Sequence, residues 1–118
     1  MSYEFKNKTN NTGFAGVVDV TPQEVLENTA QLKLVDVREI SEYTGELGHA
    51  PHAELMVLST IPEKIKTLPQ DKTIVFICRS GGRSAQAAAY AQQHGFKNVY
   101  NMTGGMLLWN QLQLPTEN

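Results

Sequence analysis

At 118 residues, with a formal net charge of −2 and 41% hydrophobic side chains, the chain fits one domain with one real core. No basic stripe is present to release phosphate counterions, which argues against nucleic acid and anionic membranes as partners. No apolar run approaches the roughly 20 residues of a membrane span. The single cysteine permits no internal disulfide, and the first residues lack the apolar stretch of a signal peptide, so a cytoplasmic address is expected.

Residues 1–13 are polar and are expected to form a loosely held arm, residues 14–114 the domain, and residues 115–118 a tail. Gly16 to Val20 is predicted as a first strand. Thr21-Pro22-Gln23-Glu24 is a helix start, with Thr at the N-cap, Pro at the first helical position and Glu at the third. That helix is expected to reach about Asn28. Leu32 to Val37 is predicted as a strand buried on both faces. Ser41-Glu42-Tyr43 reads as one helical turn, and 45–53 as a loop punctuated by Gly48 and Pro51. A short strand near 54–58 and a helix over 61–68 follow. Thr73 to Ile77 is a continuous apolar run and so a central strand. Ser84 to His94 has strong helix propensity, with Gly95 as the residue just past its end and Phe96 as the apolar contact. A last strand is expected over 98–101, and Gly104-Gly105 opens a final helix. Strands alternating with helices predict an α/β domain: a mainly parallel sheet with helices on both faces and its site at the carboxyl ends of the strands.

Cys78 directly follows the central strand, so it lies at that edge. The next residues are Arg79, Ser80, Gly81, Gly82, Arg83 and Ser84, and a helix begins within them. Glycines allow successive N–H groups to point inward as an anion nest, and the helix adds free amides and its positive dipole end. Such a field favours a thiolate over a thiol. It also stabilises an anion carried on the sulfur after reaction. A buried structural cysteine would not need two glycines and two arginines in its next five residues. Only three arginines occur, Arg38, Arg79 and Arg83, and two of them lie in this loop. Arginine offers oxyanions a planar fork that lysine lacks.

Cys78 is therefore the expected nucleophile, and Arg79 to Ser84 the expected substrate-binding loop. Arg79 is aimed at the substrate anion. Arg83 either closes the cradle or pairs with an acidic residue beneath it. Ser80 and Ser84 donate to the bound sulfur or cap the helix, with capping favoured for Ser84. His49 is expected to be a hydrogen-bonded structural histidine, and Tyr43 and Trp109 core residues. His49 and His52 flank Pro51 with a single cysteine elsewhere, so no metal site is expected, and no cofactor is implied.

Five segments in order resemble the single-domain rhodanese family of thiosulfate and persulfide sulfurtransferases. They are Asp36-Val37-Arg38-Glu39 with Glu42-Tyr43, Gly48 to Ala53, Ile74 to Ser84, Gly95 to Asn101, and Gly104 to Trp109. Ala50 and His52 depart from the family pattern, His52 standing where the family has glycine, and Met106 stands where it often has an aromatic. The resemblance implies that Cys78 accepts a sulfane sulfur from thiosulfate or a low-molecular-weight persulfide. It then passes that sulfur to cyanide, sulfite or a thiol by ping-pong covalent catalysis. It also implies that Asp36 and Arg38 support the site, a role compatible with a structural ion pair. A sulfur-carrier module exchanging persulfide with protein donors and acceptors is the alternative. A phosphatase or arsenate reductase is disfavoured, because those related loops resemble this one but are one residue longer.

Overall fold

The computed structural model describes residues 3–118. Six strands form one sheet in the order β1-β2-β6-β5-β3-β4. They are β1 (Lys8–Asn10), β2 (Val18–Val20), β3 (Leu32–Asp36), β4 (Glu54–Leu55), β5 (Thr73–Ile77) and β6 (Val99–Met102). The helices are α1 (Pro22–Glu27), α2 (Ile40–Tyr43), α3 (Ile61–Lys64), α4 (Gly82–Gln93) and α5 (Gly105–Gln111). Every pairing is parallel except β1 with β2. The α/β expectation holds. No helix among the described residues is long and apolar enough to cross a membrane.

The two faces of the sheet carry separate cores. Alternation along β5 sends Ile74 and Phe76 to the α3 and α4 side, and Val75 and Ile77 to the side holding Met106 and Trp109 of α5. The same alternation places Cys78 on the α4 side. Since β3, β5 and β6 are neighbours and parallel, the residues after each emerge at one edge.

Local signals explain the boundaries. Thr21 Oγ1 accepts the Glu24 amide at 3.3 Å, as its N-cap position requires. The α4 terminus closes with Phe96 N–H donating to Ala91 O at 3.0 Å and Gly95, at φ +92°, donating to Gln92 O at 3.3 Å, the paired bonds of a Schellman ending. The helix expected over 61–68 is shorter: α3 stops at Lys64 and gives way to a 3₁₀ turn.

The loosely held arm requires correction. Residues 8–10 pair with β2, and Phe5 is buried between Tyr3 and Tyr100, each ring centroid 4.9 Å away. Burial of one such side chain contributes about 2 kcal/mol. Glu24 does not reach back to its own N-cap. Its carboxylate instead accepts the amides of Lys6 at 2.7 Å and Asn7 at 3.0 Å and the Tyr3 hydroxyl at 2.6 Å. Burial pushes the Glu24 carboxyl up, but these bonds together bring it below its ordinary value.

Candidate active site

Cys78 is 1% exposed. Its Sγ accepts the Gly81 N–H at 3.0 Å and lies 3.2 Å from Ser84 Oγ. Gly81 has φ +110°, a left-handed turn that a side chain would resist, and that turn points its amide back at the sulfur. Gly81 is also the N-cap of α4. Among the described residues, the amides of Gly82, Arg83 and Ser84 donate to no backbone carbonyl, as expected at a helix start. The 12-residue α4 therefore directs its positive end at the loop. Arg79, Ser80 and Gly82 are exposed at the rim, while Gly81 and Ser84 are buried.

Ser84 is not a cap. The N-cap position is held by Gly81, and Ser84 sits three residues later, bonded to both Cys78 Sγ and Asn101 Oδ1. Position in the helix start suggested capping, but its true partner arrives from β6, seventeen residues on.

The amino end of α5 buttresses the loop. Met106 N–H donates to Cys78 O at 2.9 Å and Leu107 N–H to Arg79 O at 3.0 Å. These bonds turn the loop carbonyls toward α5. The contact needs Gly105 at φ +56°, where a Cβ would fall 2.4 Å from Cys78 O and 2.5 Å from the Arg79 carbonyl carbon. Sequence reasoning assigned Gly104-Gly105 only to a helix start; the doublet itself was the available signal for a close backbone approach.

At the neighbouring strand end, Asp36 and Arg38 are 0% and 1% exposed. Arg38 Nε donates to Asp36 Oδ1 at 2.9 Å and Nη2 to Oδ2 at 2.8 Å. The remaining donors reach Gly48 O at 2.7 Å and Glu42 O at 3.2 Å. Arg38 therefore fastens β3 to α2 and to the Gly48 loop. Arg83 makes a second bidentate pair, with Glu42, at 2.7 and 2.8 Å. That pair holds the Glu42 carboxyl down at about 2 and pushes the Arg83 guanidinium up. Of the two alternatives for Arg83, the geometry shows the acidic partner. Arg79 stands exposed beside a cavity of about 210 Å³ that also borders Glu42, Glu46 and Leu47.

A larger apolar cleft of about 380 Å³ runs along α4. It is lined by Val37, Leu58, Ile61, Ala87 and Tyr90, with Glu39 and Arg83 also at its wall. His49 is buried, stacks on Tyr43 with ring centroids 3.7 Å apart, and shares a hydrogen bond with Tyr43 O at 2.9 Å. It lies in a structural stack, not beside the sulfur. His52 has φ +70°, so the loop keeps a glycine-like backbone although it carries a side chain. Trp109 is fully buried and donates to Pro115 O at 2.9 Å.

Cys78 thus follows a central parallel strand of an α/β domain and faces the Gly81 amide at the start of α4. The chain belongs to the rhodanese-like domain family, which it matches over residues 21–112. It is 45% identical over 87 residues to YtwF of Bacillus subtilis, provisionally named a sulfurtransferase, covering 74% of this chain and 82% of that one. It is 38% identical over 90 residues to a protein named sulfurtransferase from Allochromatium vinosum, covering 76% and 82%. The crystal structure of a rhodanese-related protein from Thermoplasma volcanium superposes with a TM-score of 0.76 at 30% identity, over 82% of this chain and 94% of that one. The family match and the sulfurtransferase-named relatives support sulfur transfer as the class of chemistry.

Proposed function

We propose that the protein moves a sulfane sulfur from thiosulfate or a small persulfide to a thiophilic acceptor through a Cys78 persulfide. The observation that carries this reading is the Cys78 sulfur held by the Gly81 amide at 3.0 Å at the start of α4. The Cys78 thiolate attacks the outer sulfur of thiosulfate, and the S–S bond breaks with its electron pair leaving on sulfite. The outer sulfur of the new persulfide carries the negative charge, and the loop amides stabilise it. An acceptor such as cyanide, sulfite or a thiol attacks that sulfur, and Cys78 leaves as thiolate. Arg79, Ser80 and Gly82 at the rim receive the incoming anion. Asp36 and Arg38 support the site by fixing the strand end beside it.

Incubation with thiosulfate followed by intact mass should show one added sulfur atom on the wild-type chain and none on Cys78→Ser. No addition from either thiosulfate or glutathione persulfide would overturn the proposal. The chain has no second cysteine to resolve the persulfide, so the sulfur must leave for an external acceptor. Loading by a protein persulfide donor but not by thiosulfate would favour a carrier module.

A further inference from the structure

A hydrogen-bonded chain runs from the sulfur to Asp19. Ser84 Oγ contacts Cys78 Sγ and bonds Asn101 Oδ1. Asn101 Nδ2 donates to Asp19 Oδ1 at 2.9 Å. Phe76, Asn101 and Asp19 lie in register across β5, β6 and β2, so Asn101 points to the same side of the sheet as Cys78. Ser84 and Asn101 are buried. Asp19 is half-buried at the wall of a cavity of about 250 Å³. Asn11 Nδ2 also donates to Asp19 Oδ1, at 3.0 Å, while Asn11 Oδ1 is taken by the amides of Gly13 and Phe14.

The direction of each bond follows from Asp19. A carboxylate accepts and never donates. Asn101 must therefore turn its NH₂ toward Asp19, which leaves its carbonyl oxygen facing Ser84. That oxygen also only accepts, so Ser84 gives it its single hydrogen. The Ser84 oxygen is left to face the sulfur with lone pairs. A thiol suits this arrangement, because S–H donates to Ser84. A thiolate receives nothing from it.

We propose that Asp19, acting through Asn101 and Ser84, is a positioning residue that holds Cys78 toward its thiol form. It opposes the Gly81 amide and the α4 dipole, which favour the thiolate. When Cys78 ionises, its proton leaves to solvent, Ser84 O–H turns to the sulfur, and Asn101 Oδ1 loses its donor. The other charged groups around Cys78 are Arg83 on α4, the Asp36–Arg38 pair after β3, and Arg79 at the rim. Arg83 and Arg38 are matched by carboxylates, whereas among the described residues the hydrogen-bond partners of Asp19 are two neutral amides.

The test is the pH dependence of Cys78 alkylation by iodoacetamide, followed by intact mass on the full chain. Asp19→Asn supplies an NH₂ that lets Asn101 turn over and frees the Ser84 hydrogen for the sulfur. The expected result is about tenfold faster alkylation on the acidic limb and an unchanged alkaline plateau, the effect of about one hydrogen bond to a charged group. In a Ser84→Ala background the same substitution is expected to change nothing. Equal acceleration in that background would mean that Asp19 acts through space, and no acceleration in either would mean that it does not act on Cys78; both overturn the proposal. Should Asp19→Asn fail to fold by thermal melting, Asp19→Ser, whose hydroxyl donates or accepts, is expected to give about threefold, and no effect from it would overturn the proposal equally. The readout does not depend on sulfur transfer, so this proposal and the proposed function fail separately.

Discussion

The corner after β3 and the loop after β5 emerge side by side at one sheet edge, yet they handle charge in opposite ways. In the corner, Asp36 and Arg38 pair with each other and Glu42 pairs with Arg83 reaching across from α4, both bidentate. In the loop, the sulfur is held by the Gly81 amide and a serine hydroxyl. Arginine beside an anion site suggests contact with the anion. Here two of the three arginines hold scaffold, and it is the Gly81 amide that reaches the sulfur. An amide fixed by backbone geometry needs no counter-charge and no side-chain ordering, which suits the proposed persulfide chemistry, where negative charge moves onto the outer sulfur.

The sharpest way to break the contrast is to remove a charge from the corner. Arg38→Ala leaves Asp36 buried and unpaired, and a loss of about 3–5 kcal/mol is expected in urea unfolding. Arg38→Lys should recover little, because a point charge cannot serve Asp36, Gly48 and Glu42 with one fork. A loss below about 1 kcal/mol from Arg38→Ala would mean that the corner is not scaffold.

The loop should respond to backbone crowding instead. Gly105→Ala drives a methyl into the carbonyls of Cys78 and Arg79 at a positive φ. A loss of about 3 kcal/mol is expected from overpacking together with left-handed strain. Gly82→Ala is the control: a Cβ there meets nothing within 4 Å, and helix propensity makes it neutral or slightly stabilising. Equal effects from the two would remove the buttressing role of α5.

Sequence alone placed five of the six strands, and Cys78 at their carboxyl edge, because these rest on local signals. The Thr73 to Ile77 run and the Gly95-Phe96 ending matched the structure, and Cys78 fell at the edge that strand alternation requires. What it missed depended on partners distant along the chain. The arm looked loose because its composition is polar, but Phe5 and the carboxylate of Glu24 tie it down. Ser84 looked like a cap because Asn101 lies on another strand. Gly105 does open α5, as read, but the close approach it permits is to Arg79, twenty-six residues earlier. The choice for Arg83 was open until α2 placed Glu42 beside it.

His52 tests whether the corner tolerates what the loop does not. It occupies φ +70° with a side chain, and it is exposed. His52→Gly is expected to stabilise by about 1 kcal/mol in thermal or urea unfolding, the cost of one left-handed residue less the added freedom of the unfolded chain. Destabilisation would mean that the His52 side chain contributes more than its backbone costs.

The smallest expected effect concerns the half-exposed pair. Arg83 holds the Glu42 carboxyl at about 2, below its ordinary 4.5. A carboxyl depressed on folding contributes stability that is present above its unfolded value and lost as pH falls through its folded value. The contribution should therefore be complete near pH 6, fade below about 4.5, and vanish near 2. Because the pair is solvated, its size is expected to be no more than about 1 kcal/mol. Glu42→Gln removes the charge while keeping an oxygen for the Glu39 amide, which donates to it at 3.0 Å. The wild type should lead this variant in urea unfolding at pH 6 and converge with it toward pH 2. A lead that stays constant across that range would mean that hydrogen bonding without charge holds Arg83. A lead as large as that of Arg38 would mean that burial does not separate the two pairs, and the corner would then be one charge network instead of a buried anchor with a solvated brace.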